Sequence, residues 1–175
     1  MTAGADQLPP GTAIGHTHLK VAHLERSLTF YRDVLGLTVT YRGDGIAMLA
    51  AGGYHHHIAL NTQFTKDGDR PAGGSTGLLH HAIVLPDRQS LAAVVKRATD
   101  AGHLLTGAFD HAVSEAYYVD DPDGIGVELY VDQPVALWPR QPGGTLALCS
   151  VELEPSDLLI ELEPAGSDRA TRFGS

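Results

Sequence analysis

Hydrophobic positions along the chain fall into short alternating runs broken by one amphipathic stretch, and then the same succession returns. Ile14 to Val21 (IGHTHLKV) is brief, apolar and β-branched, with the two-residue period of a strand, so His16 and His18 share one face. From Leu24 to Leu35 the period lengthens: Leu24, Leu28, Tyr31 and Leu35 recur at helical spacing among charged residues, and Gly36 stands where such a helix would stop. LTVTYRG, GIAMLAAGG and YHHHIALNT then follow as three glycine-punctuated runs that suit antiparallel strands with tight turns.

A polar stretch from Gln63 to Thr76, with DGDRPAGGS at its centre, reads as an exposed linker, and beyond it the order repeats. LLHHAIVL is a strand, LAAVVKRATDAG a helix ending at Gly102, and HLLTGAF, EAYYVDD and GVELYVD are strands. Two halves with one element order indicate a single α+β domain made by internal duplication. The expected boundaries are a flexible leader over 1–12, the domain over 13–133 (units of 13–65 and 78–133), and a C-terminal extension over 134–175. In that extension Ser156 is placed to cap a short helix, SDLLIELE, ahead of a disordered end.

Composition narrows the function. A chain of 175 residues with 43% hydrophobic content can bury the core of one domain. Acidic residues outnumber basic ones by 21 to 12, and the net charge of -9 opposes phosphate backbones, so nucleic acid is not expected as a partner. No stretch approaches the roughly 20 apolar residues of a membrane span, and no signal sequence is evident, which points to a cytoplasmic protein. Cys149 is the only cysteine, so the chain has no internal disulfide and no CxxC motif.

The ten histidines carry the chemical signal, because most cluster as His16/His18, His55/His56/His57 and His80/His81. His16 and His80 open the two repeated units at equivalent places, and Glu128 lies in the last strand of the second. Two imidazoles and one carboxylate on one face leave adjacent positions of a divalent metal open for substrate and oxygen. Glu128 sits between Val127 and Leu129, and strand alternation alone lets it turn toward a cleft or toward solvent. His18, His23 and His81 fall outside the expected site, His81 facing away from His80.

IGHTHLKVAHLERSLTFYRDVLGL resembles the opening of vicinal oxygen chelate superfamily domains, and DHAVSEAYYVDDPDGIGVELY resembles the extradiol dioxygenase signature. His111, Tyr118, the DPDG turn and Glu128 match that signature in order and spacing; Phe109 and Tyr117 depart from it without removing a chemical group. The resemblance covers roughly residues 13 to 133. It implies paired βαβββ modules forming a curved mixed sheet around a metal held by His16, His80 and Glu128. It also implies Fe(II), with Mn(II) equally suited to the donors, acting on a small aromatic diol and O2 in a homodimer. By the same resemblance His56, with His55 and His57 as alternative registers, steadies and protonates bound oxygen, while His111 and Tyr118 orient the diol. Other activities of the superfamily remain in view: a glyoxalase-like isomerase, which needs a fourth ligand where this chain has Ala59; a thiol transferase, which needs a basic cluster missing from the last strands; and a drug-binding resistance protein.

Overall fold

The computed structural model describes residues 7–162. The first unit runs β1 (Thr17–Lys20), α1 (Leu24–Leu28), β2 (Thr38–Gly43), β3 (Ile46–Ala50) and β4 (Ile58–Asn61); the second runs β5 (His80–Val84), α2 (Arg88–Asp100), β6 (Leu105–Asp110), β7 (Ser114–Asp120) and β8 (Gly126–Asp132). Each unit folds its strands into a mixed sheet of one plan, β1-β4-β3-β2 and β5-β8-β7-β6, in which the first strand lies at an edge and pairs parallel with the last. Both sheets even bulge at the same place, between Val39 and Tyr41 in one and between Leu105 and Gly107 in the other. The α+β fold of paired βαβββ units expected from the sequence is therefore present.

One continuous core joins the units: Leu28, Phe30 and Tyr31 of the first belong to the same buried cluster as Leu91, Val95, Tyr117 and Leu129 of the second. Helix α2 starts as its sequence dictates, the Asp87 carboxylate accepting from the Ser90 amide at 2.7 Å, and buries Leu91, Val94, Val95 and Ala98 on one face. The first helix departs from expectation. Its α-helical part ends at Leu28, and Thr29–Val34 continue as a π-helix in which the Leu35 amide donates to the Phe30 carbonyl. Phe30, Tyr31 and Val34 of this wider turn, and Leu35 at its end, are all buried in the interior. Gly36 ends it at φ +90°, as anticipated.

Two further expectations are corrected. Only Ile58–Asn61 of YHHHIALNT is strand; the three histidines precede it in a loop, following a turn through Gly52 and Gly53. Ser156 does not cap the last helix, α3 (Pro155–Leu159): Glu154 takes the cap position without a side-chain hydrogen bond. Pro155 is already suited to a first helical position by its fixed φ and missing N–H, so the helix begins two residues earlier than a serine cap would set it. The helix does dock, with Leu158 fully buried and Arg88 bonded to Glu115 and Glu161. Ahead of it Val151–Glu152 form a short β9 that pairs with β6. The leader's first six residues and the expected disordered end lie outside the described residues. Among the described residues no helix is long and apolar enough to cross a membrane.

Candidate active site

Parallel pairing of β5 with β8 sets Ala82 opposite Glu128, and His80, two residues earlier, points to the same side. The two side chains meet, His80 Nε2 lying 3.1 Å from Glu128 Oε2. On the other flank β7 sets Tyr118 opposite Glu128, and its hydroxyl donates to Glu128 Oε1 at 2.9 Å. The Tyr118 ring stands edge-on to His80, with centroids 5.5 Å apart. His111, just past β6, brings Nε2 to 3.0 Å from the Tyr118 oxygen. Burial, then the hydrogen bond and charge of Glu128, hold the Tyr118 phenol above its ordinary range. The structure thus turns Glu128 inward and joins His80, Glu128, Tyr118 and His111 in one bonded chain.

His16 and His56 meet separately. His16 precedes β1 by one residue, where Thr17 donates to the His57 carbonyl, and its ring lies 4.4 Å from that of His56. His55 and His56 approach through their Nδ1 atoms at 2.7 Å. Lost hydration, then the neighbouring His16 and His55, keep His56 below the usual imidazole range. His16 and His80 line one cavity of about 640 Å³ between the edge strands β1 and β5, with Ile58 and Tyr130 on its walls. Among the described residues no three His, Cys, Asp or Glu side chains sit close enough to share a metal ion. The His80–Glu128 pair nevertheless suits one. Two donors each about 2.1 Å from an ion, at right angles, lie roughly 3 Å apart, which is the spacing of this pair.

Behind the pair is a buried polar joint that the sequence did not disclose. Tyr31, from the π-helix of the first unit, donates to Asp121 Oδ2 at 3.0 Å and sits 3.1 Å from His81 Nε2. A hydroxyl has one proton, so with Asp121 as its acceptor the Tyr31 oxygen receives the Nε2–H of His81. Burial, then His80, pushes His81 down to about 4, and burial raises Asp121. The other Asp121 oxygen accepts from the amides of Asp123 and Ile125, closing the DPDG turn, while Asp123 accepts from Arg26 and Ser27. His81 faces away from His80, as expected. The joint fixes β5 and the start of β8, the two strands that present His80 and Glu128, against the first unit.

A second cavity, about 420 Å³, opens on the other side of His80 and is walled by Leu79, Gly107, Phe109, His111, Tyr118 and Ser150. Ser150 comes from the C-terminal extension, and no local sequence signal places it here; Gly107 is marked only by its position in a strand, where a missing side chain often signals a bulge or a close approach.

Comparison with known proteins follows the same lines. A family model described as the glyoxalase/bleomycin resistance protein/dioxygenase superfamily matches residues 13–129. A catechol-2,3-dioxygenase of Bacillus subtilis (strain 168) is 39% identical over 160 residues, which take in 91% of this chain and 54% of that relative. This chain therefore spans about half the length of that protein. A lactoylglutathione lyase of Neisseria meningitidis serogroup B is 33% identical over 122 residues, 65% of this chain and 86% of the relative. Among solved structures a glyoxalase/dioxygenase from Nostoc punctiforme superimposes with a TM-score of 0.61 at 19% identity, covering 75% of this chain and 100% of that one. An identity that low speaks for the fold alone.

Proposed function

The chain belongs to the glyoxalase/bleomycin resistance protein/dioxygenase superfamily, and on that premise we propose that it is an extradiol dioxygenase, cleaving the ring of a catechol-type diol with O2. The observation that carries this reading is the bonded chain His111–Tyr118–Glu128–His80, because it places a carboxylate and an imidazole at ligand spacing beside two proton-handling groups that line a cavity. His80 and Glu128, with His16 from across the neighbouring cavity, would hold Fe(II), or Mn(II) in its place. When bound, that ion would supply a Lewis-acidic centre able to chelate both diol oxygens and take O2 beside them.

The protein's own groups do the rest. Tyr118 and His111 meet a diol entering the 420 Å³ cavity and orient it by hydrogen bonds, while Leu79 and Phe109 offer apolar surface to its ring. His56, kept below the usual imidazole range by lost hydration and the neighbouring imidazoles, can accept or, once charged, donate a proton on the His16 side. In this reading residues 13–133 form the catalytic domain, the extension 134–175 borders the site, and the enzyme works in the cytoplasm as a homodimer with the diol and O2 as its partners.

The isomerase reading fits the residues less well. Register makes Ala59 the counterpart of Glu128, since Ala59 faces His18 and Met48 as Glu128 faces Ala82 and Tyr118. An alanine offers no fourth ligand. The test is to load the protein anaerobically with Fe(II), add catechol and substituted catechols in air, and follow oxygen uptake with the yellow ring-opened product. Oxygen uptake with that colour is expected. An iron-loaded protein that leaves the whole panel untouched removes the proposal.

A further inference from the structure

The C-terminal extension reaches the site through its backbone. Strand β9 pairs with the end of β6, Phe109 opposite Glu152 and Asp110 opposite Val151, and the Leu153 amide donates to the Ala108 carbonyl at 2.9 Å. This strap is fastened beyond by the buried Leu158 and the Arg88–Glu161 bond. Just before β9, the Cys149 carbonyl lies 3.1 Å from His111 Nδ1 and the Ser150 hydroxyl 3.2 Å from the same nitrogen. We infer that this strap is a positioning element which locks His111 in the tautomer protonated at Nδ1, leaving Nε2 as a proton acceptor aimed at Tyr118.

The donors and acceptors around Nδ1 decide the tautomer. A carbonyl oxygen only accepts, so opposite an unprotonated Nδ1 it would set two lone pairs against each other. A hydroxyl accepts or donates. Only the Nδ1–H form satisfies the carbonyl, with the Ser150 oxygen sharing the same proton. A neutral imidazole then carries a lone pair at Nε2, 3.0 Å from the Tyr118 hydroxyl. Tyr118 accordingly has two acceptors for its one proton, His111 Nε2 and Glu128 Oε1, and the bond to Oε1 is exchanged for one to Nε2 as the proton moves.

The consequence for chemistry rests on the ring-cleavage reading; the tautomer does not. A diol hydroxyl that meets the Tyr118 oxygen can release its proton there while Tyr118 passes its own to Nε2. One substrate O–H bond breaks and one N–H bond forms, and Tyr118 ends as it began. His111 becomes an imidazolium whose Nδ1–H still rests on the Cys149 carbonyl. The extension thereby turns a hydrogen-bonding pair into a route for the first proton of the diol.

The experiment is heteronuclear NMR of the histidine ring nitrogens in the full chain at about pH 8.5, where imidazoles are neutral, with His111 assigned by the signals lost in His111→Gln. The expected pattern is a protonated Nδ1 and an unprotonated Nε2, unchanged in Ser150→Ala because the carbonyl holds the proton. A Val151→Pro chain that keeps its other amide signals should show mixed tautomers, since proline at that position breaks β9. The reverse pattern in the natural chain overturns the inference, and so does a tautomer that changes in Ser150→Ala or is indifferent to Val151→Pro. If Val151→Pro does not fold, the natural chain and Ser150→Ala decide the matter. None of these readouts uses oxygen uptake, so failure of ring cleavage and failure of the tautomer lock are told apart.

Discussion

The two βαβββ units share a register residue for residue and differ where it matters chemically. His16 of the first corresponds to His80 of the second, Ala59 to Glu128, Met48 to Tyr118, and Tyr41 to Gly107, each position fixed by the same pattern of strand partners. The first unit keeps its imidazole at His16, with His56 beside it, and places alanine and methionine where the second unit has its carboxylate and phenol. The second adds a carboxylate, a phenol and an empty space. The two units are equivalent frames, and the candidate site lies where one of them is filled differently from the other.

The most severe way to break this asymmetry is Glu128→Ala, which gives the second unit the residue of the first. Removing a partner behind a ligand costs roughly 10- to 100-fold in metal affinity, so removing the carboxylate itself should cost more than about 100-fold and abolish ring cleavage. Metal content after dialysis, with a thermal melt to show an intact fold, measures it. Full metal retention would take Glu128 out of the ligand set.

The joint between the units gives the next largest effect. Burial, then Asp121, holds the Tyr31 phenol far above its ordinary range, and burial, then Glu115, does the same to Tyr117. The folded chain keeps both protons while the unfolded chain releases them from about pH 10. Stability is therefore complete below that pH and is lost as pH rises past it, by up to about 3 kcal/mol per unit for the two together. Urea unfolding across that range reads the slope. Tyr31→Phe should lower it by about 1.4 kcal/mol per pH unit and cost about 1–3 kcal/mol at neutral pH, by leaving buried polar partners unmatched. A slope the same in the variant would separate Tyr31 from the joint.

Smaller again is Tyr118→Phe, which moves the second unit one step toward Met48. Glu128 and His80 remain, so the metal should stay bound while kcat falls about 10- to 100-fold, the range for groups that act beside a metal. Paired measurements of iron content and oxygen uptake distinguish this from Glu128→Ala. Iron lost in proportion to rate would reduce Tyr118 to a support for Glu128.

Part of this was readable from the chain itself. The doubled element order follows from hydrophobic periods, and the His111–Tyr118–DPDG–Glu128 cluster lies within one hairpin region, where local spacing fixes contact. What escaped depends on distant contacts. Tyr31 meets His81 across 50 residues and Asp121 across 90, and no period in the sequence links a helix face to a turn so far away. The π-helix escaped because its extra residue per turn answers to packing, as Phe30 and Tyr31 compete for one interior. Ser150 escaped because its neighbourhood is loop-like and reaches the cavity only through the two-residue β9.

The mildest test concerns the space itself. Gly107 lies at the bulge where the first unit carries Tyr41, and its φ is ordinary, so alanine is tolerated by the backbone. A Cβ there would come within 2.6 Å of the Phe109 ring, which must swing aside. That ring has its centroid 6.0 Å from His111 and 6.1 Å from Tyr118, on the wall of the 420 Å³ cavity, so its movement narrows the place assigned to the diol ring. One methyl in an apolar wall is worth about 1 kcal/mol or slightly more, so Gly107→Ala should raise KM for the diol about three- to tenfold with metal content unchanged. The effect should fall on KM rather than kcat, because the bonded chain from His111 to His80 is left in place. A KM that does not move would mean that the bulge needs its glycine for the strand alone, and that the ring lies on the His16 side, in the cavity between β1 and β5.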